Sequence, residues 1–80
     1  MDDVMTGEKA WQDHAKVLLK SELKRKSVTY KELANRLTAA GTPETEANLA
    51  NKISRGSFSA AFLLQCLNLA GCNSVLVSKD

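Results

Sequence analysis

The sequence predicts an all-α domain of four helices, five elements at most, with a short extended segment at its C-terminal end. Three observations carry that expectation. Apolar residues recur at spacings of three and four along most of the chain, which places them on one helix face at a time. Each such stretch is bounded by a residue that can cap a helix or by a glycine that can stop one. Aromatic residues make up only 5 % of the 80 residues while hydrophobic residues make up 44 %, so the core must be built largely of Leu, Ala, Val and Ile. A chain of this length forms one domain, since halves of it would be too small to fold.

The first six residues are polar and are expected to be disordered, leaving a helical domain over residues 7–77. A helical pattern begins near Gly7, where Trp11, Ala15, Leu18, Leu19 and Leu23 share a face and Lys16, Lys20 and Lys24 share another. This first helix is expected to run to about Lys26, with Trp11 as a core anchor rather than a platform for stacking bases. Thr29 and Glu32 then have the capping-box spacing, and Val28 and Leu33 that of a hydrophobic staple. They open a short second helix, about Tyr30 to Ala40, which Gly41 stops. Thr42 is the expected cap of a third helix, with Pro43 at its first position and Glu44 and Glu46 in the first turn, where the helix dipole favours negative charge. Leu49, Ala50 and Ile53 form its inward face, and Gly56 ends it. Ser59 caps a fourth helix, Ala60 to Ala70. That helix is apolar almost all round and is expected to be the buried centre of the bundle, with Phe58 and Phe62 in the core. Gly71 stops it, and Val75-Leu76-Val77 is a short β-prone run.

Several functional classes are excluded. The longest apolar stretch, Ala60 to Leu64, is far below the roughly 20 residues of a membrane span. No basic-then-apolar leader opens the chain, and two cysteines make no disulfide framework, so a cytoplasmic protein is expected. His14 has no nucleophile at helical spacing and reads as a surface residue. Cys66 and Cys72 are too few for a zinc site, Cys66 being an expected buried thiol and Cys72 a partly exposed one. With no phosphate-cradling glycine loop and no paired carboxylates, the chain is expected to be a non-enzyme with no cofactor, no metal and no small-molecule substrate.

The net charge of +2 is unevenly spread. Between Lys9 and Arg36 eight basic residues stand against three acids, while elsewhere three stand against six. A basic side on a small helical domain is a footprint that fits nucleic acid, although a solvated lysine face gives the same excess. The helix order sharpens the reading. Two short helices flank a turn at Gly41-Thr42-Pro43, the layout of a helix-turn-helix, whose second helix enters the DNA major groove. If Leu49, Ala50 and Ile53 face inward, the opposite side of the third helix carries Asn48, Asn51 and Arg55, with Lys52 alongside. Asn and Arg are the side chains that make paired hydrogen bonds to adenine and guanine edges. Phosphate contacts are expected from Thr29, Tyr30 and Lys31 at the second helix and from Arg55, Ser57 and Ser59 around the start of the fourth.

The segments Tyr30-Lys31-Glu32-Leu33-Ala34-Asn35-Arg36-Leu37, Asn48 to Gly56 and Phe58 to Leu67 resemble the phage-repressor-type (Cro/C1, Xre-like) helix-turn-helix domain. A closer resemblance is to a small bacterial family of unknown function, which shares the stretch Asn48 to Leu67 and covers roughly residues 9–77. The repressor resemblance implies a lambda-repressor-like fold, dimeric binding to double-stranded DNA, transcription regulation and no catalysis. Two readings are therefore carried forward. One is a DNA-binding regulator acting as a homodimer. The other is a protein-interaction or dimerisation module of the same fold, suggested by the acidic Glu44 and Glu46 and by the Val75–Val77 run, which could pair edge to edge with a second copy. Lys31, Lys52 and Arg55 on a face clear of those acids would favour the first, and acids on that face the second.

Overall fold

A computed structural model describes the backbone of residues 3–77 and the side chains of residues 7–77. Four helices form: α1 (Asp3–Arg25), α2 (Tyr30–Ala39), α3 (Glu46–Arg55) and α4 (Ala60–Leu69). Among the described residues there is no strand, so the Val75–Val77 run is extended chain without a pairing partner. No helix among them is long and apolar enough to cross a membrane.

Helix α1 begins at Asp3, inside the stretch expected to lack structure. Gly7 does not stop it, since a glycine in a helix interior costs only about 1 kcal/mol. At its other end Ser27 adopts a left-handed φ of 58°. That bend brings the Ser27 N–H to the Lys24 carbonyl and the Val28 N–H to the Leu23 carbonyl, at 3.0 and 2.9 Å. Both carbonyls would otherwise be unpaired at the helix end. The same closure follows α2, where Gly41 at φ 94° places the Thr42 N–H 2.9 Å from the Leu37 carbonyl.

That closure shifts the start of α3. Thr42 was the expected cap, but its N–H is committed to α2 and its hydroxyl accepts a 3.0 Å hydrogen bond from the Gln65 amide. Thr45 caps instead: it is extended at φ −102° and ψ 160°, and its hydroxyl accepts from the Asn48 N–H at 3.1 Å. Pro43 and Glu44 therefore lie in the loop before α3 rather than in its first turn. At α2 the Thr29 hydroxyl accepts from the Glu32 N–H as the spacing requires. The Glu32 carboxylate does not reach back to complete the box, because it accepts from Arg36 Nε at 3.0 Å.

The core gathers one face of every helix. Leu19 and Leu23 come from α1, Leu33, Ala34 and Leu37 from α2, Leu49 and Ile53 from α3, and Cys66 and Leu67 from α4. Val28 and Ala70 close it at the helix ends. Each fully buried Leu or Ile contributes about 1.5–3 kcal/mol of transfer free energy. Two sequence expectations about the core fail. Trp11 is 53 % exposed, its ring set edge-on to His14 at 5.5 Å. Helix α4 is not buried all round, since Ala60, Ala61 and Leu64 face solvent, Leu64 at 66 %. The other three helices leave one side of α4 uncovered, so these three apolar residues have no layer above them. Phe58 and Phe62 pack half-buried against the core, with ring centroids 5.4 Å apart.

Two cations of the basic stretch serve the fold. Arg36 Nη1 donates to the Leu69 carbonyl at 2.7 Å, and Lys16 Nζ to the Ser54 carbonyl at 3.2 Å. Each puts a positive charge on the unpaired carbonyls that end a helix, α4 and α3 respectively. His14 Nε2 bonds the Val77 carbonyl at 2.7 Å, which holds the C-terminal segment against α1.

Candidate nucleic-acid interface

Leu49 and Ile53 have no exposed surface, and Ala50 is half-buried beside them. A helix held by that stripe must show its opposite side to solvent. Asn48, Asn51, Lys52 and Arg55 are all exposed there. No hydrogen bond or ion pair among the described residues engages the side chains of Asn48, Asn51 or Arg55, so their donors and acceptors are available to a ligand.

Two shallow concavities meet on this surface, divided by Lys52 and Arg55. One, of about 320 Å³, is bounded by Pro43 and Glu44 of the loop and by Asn48, Asn51, Lys52 and Arg55 of α3. The other, of about 220 Å³, lies between the end of α3 and the start of α4 and is lined by Lys52, Arg55, Ser57, Phe58, Ser59 and Phe62. Ser57 thus lines the same concavity as Arg55. The Ser59 hydroxyl accepts from the Phe62 N–H at 3.0 Å, so it caps α4 from the floor of the same cleft.

Lys52 is not available in the way Arg55 is. Its Nζ lies 2.7 Å from Glu44 Oε2 and 5.1 Å from the centroid of the Phe62 ring. The Glu44 side chain is only 5 % exposed. Its backbone is fixed by Thr38, whose hydroxyl accepts from the Glu44 N–H at 3.2 Å and donates to the Glu44 carbonyl at 3.3 Å. Sequence reasoning placed Glu44 in a helix turn and missed both partners. The pair joins a loop residue to a helix residue eight positions on, and no helical period connects them.

Thr29, Tyr30 and Lys31 form a separate group at the first turn of α2. Thr29 and Lys31 are exposed and Tyr30 is half-buried against the core. Burial pushes the Tyr30 phenol above its ordinary range, so it stays a neutral O–H donor at neutral pH. Lys31 has no ion-pair partner among the described residues, and the same holds for Lys20, Lys24 and Lys26. The free positive charge of the basic stretch is therefore concentrated near the junction of α1 and α2. The remaining cations there are engaged: Lys9 with Asp13 at 3.3 Å, and Arg25 with Glu22 at 2.6 Å.

Both cysteines are free thiols, Cys66 buried and Cys72 half-buried. Burial pushes the Cys66 thiol up to about 12. Burial and the neighbouring Glu22 carboxylate raise Cys72, whose thiol donates to Glu22 Oε1 at 3.4 Å. The hydrogen bond from Arg25 holds Glu22 itself below the usual carboxylate range.

The family model described as "Domain of unknown function (DUF6471)" matches residues 11–75. No curated protein and no solved structure matches the chain.

Proposed function

The chain belongs to the DUF6471 family, and we propose that it is a DNA-binding module of the helix-turn-helix kind, a transcription regulator acting as a homodimer. One observation carries the reading: α3 is fixed by the fully buried Leu49 and Ile53 and turns Asn48, Asn51 and Arg55, all unengaged, to solvent. In this reading α3 lies in the major groove. Asn48 and Asn51 pair with adenine edges and Arg55 with a guanine edge, while Thr29, Tyr30, Lys31 and Ser57 hold the flanking phosphates. The repressor-like resemblance of the Tyr30–Leu37 and Asn48–Gly56 segments supports the same assignment. The loop of residues 40–45 is longer than the roughly 3–4-residue turn of a helix-turn-helix, which sets α3 further from α2 along the chain. A dimer would address half-sites about 34 Å apart.

Fluorescence anisotropy with duplex DNA across a salt series tests this. Binding is expected to weaken with salt at a log–log slope near −0.9 for each phosphate contact. Arg55→Ala is expected to weaken binding about 5- to 150-fold without unfolding the domain, since a paired Arg–guanine contact is worth about 1–3 kcal/mol. No binding at low salt, or a slope near zero, removes the reading.

A second reading is favoured by one finding. Glu44 borders the same concavity as Asn48, Asn51 and Arg55, which is an acid on the face that DNA would take. A protein-interaction module of the same fold would use that mixed surface, or the exposed Trp11 and Leu64, against a partner. The terminal run is a poor candidate for edge pairing, because His14 already holds the Val77 carbonyl. Deletion of residues 74–80 followed by light scattering is expected to leave the mass per particle unchanged; a drop from dimer to monomer would restore the strand-mediated dimer.

A further inference from the structure

The pairing of Glu44 with Lys52 is set into the surface that the proposed function assigns to DNA, and the inference here rests on that reading. Lys52 is one of two cations on α3's outward side. Its ammonium is taken up by a carboxylate at 2.7 Å, and its other side faces the Phe62 ring. The carboxylate is not a mobile surface acid. Its side chain is 5 % exposed, and the loop that carries it is fixed on both backbone groups by the Thr38 hydroxyl. The loop's position is secured further by the Gln65–Thr42 hydrogen bond. An ion pair left open to solvent would be worth little and would exchange partners freely. This one is shielded on the carboxylate side and held by a preformed loop, so Glu44 stays on Lys52. Arg55, alongside, has no such partner.

We infer that Glu44 is an internal stand-in for a DNA phosphate: it occupies the Lys52 ammonium and holds the affinity of the α3 surface below what its two cations could give. In the wild-type chain Lys52 adds nothing to the count of phosphate contacts. The partner class whose access Glu44 limits is double-stranded nucleic acid, and the limit is electrostatic, so it is independent of base sequence.

Glu44→Gln tests this, because it keeps the shape of the side chain and removes the charge. The variant is expected to bind duplex DNA more tightly than wild type, with a salt slope steeper by about 0.9, the value for one added phosphate contact. Glu44→Gln combined with Lys52→Met is expected to return the slope to the wild-type value. Circular dichroism on both variants confirms the fold, which should persist because Thr38 grips the Glu44 backbone and not its carboxylate. A readout without DNA separates this inference from the reading beneath it. Acylation of lysines followed by mass spectrometry is expected to find Lys52 protected relative to Lys31 in wild type and exposed in Glu44→Gln. Equal or weaker DNA binding by the folded Glu44→Gln variant overturns the inference, as does Lys52 labelling that does not rise. Failure of wild type and variant alike to bind DNA at low salt sinks the DNA reading itself, and this inference with it, even where the labelling rises.

Discussion

Replacing Gly56 by alanine is expected to cost about 2 kcal/mol or more, whereas the same change at Gly7 should stabilise by up to about 1 kcal/mol. Gly56 sits at φ 74°, and a Cβ there would stand 3.0 Å from the Gln12 carbonyl oxygen of α1. Backbone and neighbour both object, and the neighbour is backbone that cannot move aside. Gly7 lies inside α1 with nothing within 4 Å of the position a Cβ would take, so alanine removes only the entropy cost of glycine. Urea midpoints of the two variants check the pair, and a stable Gly56→Ala protein would contradict the close approach of α3 to α1. Cys66 makes a different demand. Its thiol ionises near 12 in the folded chain against 9.0 for an exposed thiol. The stability this represents is complete below about pH 9 and is lost as pH rises toward 12, because only the unfolded chain can release the proton early. Stability measured at about pH 8 and about pH 11 should fall more in wild type than in Cys66→Ala. Equal losses would mean that Cys66 is not sealed in the core.

At the scale of elements, caps and closures decide where each helix begins and ends. Thr45→Ala removes the hydroxyl that holds the Asn48 N–H and is expected to cost about 1 kcal/mol, seen as a lower unfolding midpoint. An unchanged midpoint would return the cap to Thr42. Much of this was legible in the sequence. Thr29 and Ser59 cap α2 and α4, Gly41 and Gly56 supply left-handed stops, and the inward set of α3 follows its period. The parts that were not legible have physical causes. Local rules pointed to Thr42, but its N–H closes α2 and its hydroxyl is taken by Gln65, on a helix that neighbours the loop only in the folded chain. Ser27 carries no stop signal of its own. It accepts a left-handed φ because Val28 must reach the core. Periodicity reports the apolar side of a segment and not whether another layer exists to cover it, and for that reason Trp11 and Leu64 were misplaced.

For the whole molecule, the uneven charge of the sequence resolves into three kinds of cation, of which Lys9, Arg25 and Lys52 are paired with carboxylates. Lys16 and Arg36 neutralise the ends of α3 and α4 and belong to the fold. Lys20, Lys24, Lys26, Lys31 and Arg55 remain uncommitted among the described residues. A basic count taken from sequence therefore overstates the charge available to a polyanion, and the usable part is divided between the α1–α2 junction and the end of α3. Arg36→Met is expected to destabilise the domain by about 1–3 kcal/mol by orphaning the Leu69 carbonyl, where Lys31→Met should be neutral within about 0.5 kcal/mol. Thermal unfolding of the two variants separates these roles, and equal effects would contradict the division. In the proposed function α3, seated on the buried Leu49 and Ile53, presents Asn48, Asn51 and Arg55 to DNA. Amide NMR of the labelled chain titrated with duplex DNA at low salt tests it most directly. Shifts concentrated at residues 48–57 and at the first turn of α2 are expected; shifts absent, or confined to Trp11 and the outer face of α4, would contradict it.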